Sequence, residues 1–186
     1  MKIGLTALVL AIVFYVVYLF NKLVRQKNFV KEAWSGIDVQ LKRRYSLIPN
    51  LVETVRAYTK YEGTVLEEIT KIRQKCVDAS NVKEQSEAEV MLSSGFKQFF
   101  ALAEAYPDLK ANSQFINLQK NLIEIEDAIQ YARRYYNGTV RDFNILTESF
   151  PSNIIALLFN YKSKDYFEIT SSTERENVSA DVKAGN

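Results

Sequence analysis

Arg133, Asn137, Arg141 and Asn144 recur at steps of four, four and three residues, a spacing that places them on one face of a helix. Two cations and two amides in that pattern make a docking face for a partner protein or for lipid head groups. The plainer reading is a solvated face carrying capping and bridging hydrogen bonds. Arg43 and Arg44 form a second cationic point, suited to anionic head groups if the chain folds back to a membrane, and equally suited to the C-terminal end of a helix dipole. Glu62 falls within an apolar series and reads as a buried polar residue that sets register, with a buried acid of raised pKa as the alternative. Asn50 and Glu53 stand beside the same series and read as structural. Glu124, Glu126 and Asp127 offer carboxylates, but di-metal bundles need Glu-x-x-His motifs on facing helices, and the chain contains no His. Cys76, the single cysteine, takes an apolar position where an inert buried thiol is expected. Trp34 and the Tyr135-Tyr136 pair read as core and interface aromatics. Asn137-Gly138-Thr139 matches a glycosylation sequon by pattern only, in the middle of a helical stretch. No metal, cofactor or catalytic constellation is expected.

The elements that carry these residues begin with an anchor. From Ile3 to Phe20 the chain holds no charge, and as a helix that stretch is about 27 Å long, close to the ~30 Å hydrocarbon core of a bilayer. It ends in Val16, Val17, Tyr18, Leu19 and Phe20 without the small residues of a signal-cleavage site, so an uncleaved span is expected. Lys22, Arg25, Lys27 and Lys31 follow it, against Lys2 and the α-amino group before it. The positive-inside rule then puts the N-terminus outside and the rest of the chain in the cytoplasm. The net charge of +2 in 186 residues gives no strongly basic face for nucleic acid. With no His and one Cys, imidazole general bases, Cys-His and Ser-His pairs and intrachain disulfides are all excluded.

After the span the spacing is helical nearly throughout. Val30, Trp34, Ile37 and Leu41 make a first apolar stripe. Residues 43–49, with two cations, Ser46 and Pro49, predict a corner between helices, the competing reading being one long helix kinked at Pro49. A heptad series then runs through Ile48, Leu51, Val55, Tyr58, Glu62, Val65, Ile69, Ile72 and Cys76. Leu92, Phe96, Phe99, Ala103 and Tyr106 carry a further helix to a turn at Pro107-Asp108. The longest series comprises Phe115, Leu118, Leu122, Ile125, Ile129, Ala132, Tyr136, Thr139, Phe143, Leu146 and Phe150. Pro151 ends it and opens a short helix through Ile154, Ile155, Leu157 and Leu158. The expected fold is all-α: an N-terminal transmembrane helix and an antiparallel bundle of about four long helices. The expected divisions are an anchor at residues 1–24, the bundle at 25–161, and a polar, partly disordered tail at 162–186.

Four stretches stand out: EAWSGIDVQLKRRYSLIPNLVETV (Glu32 to Val55); YPDLKAN (Tyr106 to Asn112); ARRYYN (Ala132 to Asn137), continuing into Val140-Arg141-Asp142-Phe143-Asn144; and Phe150-Pro151 with Ile155-Ala156. Together they give the chain a resemblance to the LemA family of bacterial membrane-anchored helical proteins. Ser46 stands where the family usually has Asp, and Tyr61 where it commonly has His. The resemblance implies a membrane-tethered bundle with no agreed enzymatic activity. Some members resemble components of membrane-remodelling organelles such as the magnetosome, which implies assembly rather than catalysis. The expected function is a structural or interaction component at the cell membrane. Its expected partners are the bilayer, through residues 3–20, and an unknown protein or a second copy; the alternatives are an accessory subunit of a membrane enzyme such as a peptidase, or a lipid-binding or small-ligand-binding bundle.

Overall fold

A computed structural model of the chain describes residues 2–59 and 63–168, and among these every regular element is helical. The helices are α1 (Lys2–Arg56), α2 (Gly63–Asp78), α3 (Val82–Glu104), α4 (Pro107–Lys110), α5 (Ser113–Glu148) and α6 (Ser152–Leu158). They fall into two compact units, Met1–Arg43 with Glu124–Tyr166, and Arg44–Ile123 with Phe167–Asn186, each taken over its described residues.

The corner expected at residues 43–49 is absent, because α1 passes through it without interruption. The apolar stripe explains why. Val30, Ile37, Leu41, Ile48, Leu51 and Val55 are all buried, and with half-buried Trp34 they step by fours and threes once Arg44 is counted between Leu41 and Ile48. One unbroken helix keeps this seam on one side. Pro49 lies off the seam and is exposed. Lacking an N–H, it cannot satisfy the carbonyl four residues before it, that of Tyr45. Arg73 of α2 does so instead, its Nε donating to the Tyr45 carbonyl at 2.8 Å.

The series from Ile48 to Cys76 is divided between two helices rather than carried by one. At the end of α1 the Val55 carbonyl accepts from the N–H groups of Tyr58 (2.9 Å) and Thr59 (3.1 Å) and from the Thr59 hydroxyl (3.2 Å). The Tyr58 bond spans three residues, the tighter pairing with which helices commonly end. Glu62 lies outside the described residues. Helix α2 then buries Leu66, Ile69, Ile72 and Cys76. It meets α3 closely at Gly95, where an added Cβ would stand 3.2 Å from Ile72 Cδ1. Helix α3 starts at Asn81, whose side chain accepts from the Glu84 N–H at 2.9 Å, while the Glu84 carboxylate accepts from the N–H and hydroxyl of Ser80. These Ser80 bonds, with Asn81, hold the Glu84 carboxyl below its ordinary pKa. Asn112 caps α5 in the same way, accepting from the Phe115 N–H at 3.0 Å, and donates to the Tyr58 hydroxyl at 2.8 Å.

Helix α5 has about ten turns, as its apolar series predicts. Phe115, Leu118, Leu122, Ile125, Ile129, Tyr136 and Phe143 are buried, whereas Phe150, last in the predicted series, is 80% exposed beyond the helix end. Helix α6 closes with Asn160 at φ 55°. The N–H of Asn160 bonds to the Leu157 carbonyl (3.2 Å) and that of Tyr161 to the Ala156 carbonyl (2.8 Å), the two bonds of a left-handed helix stop. Residues 162–168, placed in the polar tail by composition, include the fully buried Phe167; residues 169–186 lie outside the described residues.

Arg73→Met is expected to cost about 1–3 kcal/mol, since it strands a buried carbonyl. In a Pro49→Ala background, where residue 49 regains an N–H for Tyr45, the same substitution is expected to cost less. Urea unfolding of the detergent-solubilised chain measures both, and equal costs in the two backgrounds would contradict the compensation.

Candidate functional site

The unit containing Arg44–Ile123 holds a buried polar cluster built from three helices. Arg44 and Glu89 are 1% and 0% exposed, and their side chains pair at 3.2 Å (Nη1 to Oε2). The Arg44 guanidinium also lies over the Phe96 ring, 5.5 Å from its centroid, a favourable placement for a desolvated cation. The Tyr45 hydroxyl donates to Glu89 Oε1. Gln85 Nε2 donates to the Tyr45 hydroxyl (2.7 Å), to Glu89 Oε1 (3.2 Å) and to the Cys76 carbonyl (3.3 Å). Arg44 and Tyr45 come from α1, Cys76 from α2, and Gln85 and Glu89 from α3, so the hydrogen bonds tie all three together.

The phenol and the thiol of this cluster keep their protons at neutral pH. Burial, then the Glu89 charge, pushes the Tyr45 phenol far above its ordinary value. The same two causes in the same order push the Cys76 thiol up to about 12. Neither group supplies the phenolate or thiolate that nucleophilic chemistry at neutral pH requires. The arrangement orients helices: a buried ion pair whose further lone pairs are met by a phenol and an amide.

Arg43 and Arg44 therefore do not act as a pair. Arg43 is exposed and donates to Gln40 Oε1 at 3.1 Å, while Arg44 is enclosed and out of reach of head groups. The polar residue inside an apolar seam that was expected of Glu62 is provided in the described residues by Arg44, Gln85 and Glu89. Gln85 and Glu89 extend the Leu92, Phe96, Phe99, Ala103 series backwards by steps of three and four. That continuation was the available signal. Asn50 and Glu53 are exposed, Glu53 accepting from Arg56 at 2.7 Å. Among the described residues no three His, Cys, Asp or Glu side chains stand close enough to hold a metal ion.

The predicted polar face of α5 lies in the other unit and divides by role. Asn144 is buried and clamps the following chain, its Nδ2 donating to the Lys164 carbonyl (2.9 Å) and its Oδ1 accepting from the Lys164 N–H (2.8 Å). Arg133 and Asn137 are half-buried, and Arg141 is exposed beside Asp142. Tyr136 is buried, donates to the Asp165 carbonyl at 3.0 Å and meets the edge of Trp34 at 5.4 Å; burial, then the Asp165 charge, pushes its phenol to about 12. Its neighbour Tyr135 points outward at 57% exposure, as does Tyr131 at 70%, which lies under the Arg134 guanidinium at 4.6 Å.

Residues 33–182 match the sequence model of the LemA family. The chain is 28% identical over 172 residues to Protein LemA of Metamycoplasma hominis, covering 89% of this chain and 77% of that protein. It is 22% identical over 193 residues to magnetosome protein MamQ 2 of Paramagnetospirillum magneticum, covering 87% and 71%. With magnetosome protein MamQ of Magnetospirillum gryphiswaldense the figures are 19% over 174 residues, 80% and 64%.

Two predictions follow from the cluster's geometry. Glu89→Ala is expected to destabilise the chain by about 3–5 kcal/mol, whereas Arg44→Met combined with Glu89→Leu should lose far less, because no buried charge is left behind. A double variant as unstable as the single one would contradict the ion-pair account. The second concerns alkaline pH. Below the ordinary values of 9.0 for the thiol and 10.0 for the phenols, folded and unfolded chains both keep these protons. Above those values the unfolded chain releases them first, so stability falls as pH rises. Tyr45→Phe should make that decline shallower in a series of urea midpoints from pH 8 to about 11; an unchanged slope would count against the shifted phenol.

Proposed function

The chain belongs to the LemA family, and from that premise we propose that it is a single-pass membrane protein whose helices form a bundle acting as a structural and interaction component at the membrane, without catalytic activity of its own. The observation that carries this reading is α1. Its first part, from Ile3 at 87% to Tyr18 at 58%, leaves its apolar side chains exposed, with a mean hydropathy of 2.6 over the most apolar window. The same helix continues without a linker into the seam that carries Arg44. An exposed apolar helix of this kind is stable in lipid and not in water.

The flanking Lys22, Arg25, Lys27 and Lys31 support a cytoplasmic bundle with the N-terminus outside. The names of the MamQ relatives attach those proteins to an assembly, and an assembly role is what this reading carries over. Tyr131, Arg134 and Tyr135 are the residues best suited to a protein partner. They form an exposed aromatic and guanidinium set, the composition in which binding energy concentrates at interfaces.

Two experiments test the proposal. A photo-crosslinking amino acid at Tyr131 or Tyr135 is expected to yield a discrete protein adduct in cells, and a chain that formed none from either position would argue against the interaction role. With Cys76→Ala and Gln74→Cys, a membrane-impermeant thiol reagent is expected to label only after lysis. Labelling of intact cells would reverse the orientation.

A further inference from the structure

The part of α1 that stands clear of the fold is shorter than a bilayer. Side chains from Ile3 to Tyr18 are exposed, but Leu19 is 7% and Leu23 0% exposed, so packed structure begins at Leu19. Ile3 to Tyr18 spans about 24 Å of helix against a hydrocarbon core of ~30 Å, a shortfall of about 6 Å or four residues. Tilting the helix only enlarges the shortfall. The boundary of the hydrocarbon therefore reaches the level of Leu19 to Lys22, and whatever is packed on that turn lies at the membrane surface.

What is packed there is the chain around α6. The Phe159 ring lies 4.6 Å from that of Phe20, and the Tyr161 ring 6.5 Å from it. The surrounding side chains form an apolar patch unusual for a water-facing surface: Phe150 is 80% exposed, Ile154 49%, Leu157 83%, Leu158 72% and Phe159 55%. Cations stand at the same level: Lys22, Arg25, Lys27 and Lys162 are exposed, and Lys27 sits over the Tyr161 ring at 5.5 Å, while Lys22 and Arg25 line a groove with Tyr18, Asn21 and Gln26 on the face of α1 turned away from Phe20. Apolar side chains beside basic ones, with aromatics at the boundary, is the composition of a segment lying in the interfacial plane.

We propose that Phe150 and the exposed face of α6 are a second membrane contact, inserted in the interfacial layer of an anionic bilayer beside the α1 span. The contact fixes how this unit stands on the membrane, since a single helix alone leaves the folded part free to rotate about it. This inference rests on reading α1 as a span, and the experiment separates the two.

Single nitroxide labels are placed on the full-length Cys76→Ala chain by Leu157→Cys, by Leu158→Cys, by Val9→Cys in the span and by Gln74→Cys on α2, and the chains are reconstituted in vesicles of phosphatidylcholine and phosphatidylglycerol. Leu157 and Leu158 are exposed, so their labels leave packing intact, which circular dichroism checks. Labels at 157 and 158 are expected to favour oxygen over a water-soluble nickel chelate several-fold more than the label at 74, at a shallower depth than the label at 9. Nickel-accessible labels at 157 and 158 alongside a lipid-buried label at 9 would overturn the second contact and leave the span intact. Labels at 157 and 158 screened from both reagents, with dipolar broadening that grows with protein density, would assign the face to a second copy and overturn the lipid contact. A water-exposed label at 9 would overturn the span and this inference with it.

Discussion

A guanidinium enclosed by protein must be met by a carboxylate, and the residues from Arg44 to Ile123 are arranged around that requirement. Removing an ion from water is costly enough that an unmatched partner would unfold the site. Arg44 is matched by Glu89, Glu89 by Tyr45, and Tyr45 by Gln85. These bonds specify which turn of α1 stands opposite which turn of α3, and the bond from Gln85 to the Cys76 carbonyl does the same for α2. Apolar seams alone tolerate slippage by a heptad; a single buried polar position does not. The next turn of α1 holds Pro49, and the carbonyl that proline frees is taken by Arg73. A helix-breaking residue and a buried charge are thus accommodated within two turns by neighbours from one helix and the next.

Most of the helical content was legible because apolar spacing repeats. The long series from Phe115 identified α5, and Pro151 marked α6, whereas Pro107, read as a turn, opens the one-turn helix α4. The corner expected at residues 43–49 failed for a physical reason. Reading two arginines and a proline as a helix end is locally sound, but the seam from Val30 to Val55 stays in phase only if Arg44 belongs to it. Accepting the corner hid Arg44's role, and with it that of Glu89. Glu89 and Gln85 were visible as the backward continuation of the Leu92 series. The donation from Arg73 to Tyr45 joins residues 28 apart in sequence, and the Asn144 clamp acts on the backbone of Lys164. Neither leaves a pattern in spacing or composition. Asn160 at the end of α6 did carry a signal, since Asn after glycine is the residue most at ease at positive φ.

Membership of the LemA family and the exposed apolar start of α1 place the protein among membrane-associated helical proteins. Burial pushes the Tyr45 and Tyr136 phenols and the Cys76 thiol up, so these groups stay protonated at neutral pH.

Helix α1 runs unbroken from Lys2 through Pro49 to Arg56. Amide hydrogen exchange on the vesicle-embedded chain, resolved residue by residue over Arg43 to Arg56, tests it most directly. Continuous protection is expected across the segment, with the amides on either side of Pro49 exchanging as slowly as those of Leu41 and Leu51. Rapid exchange from Tyr45 to Leu47, flanked by protected turns, would show a corner there and contradict it.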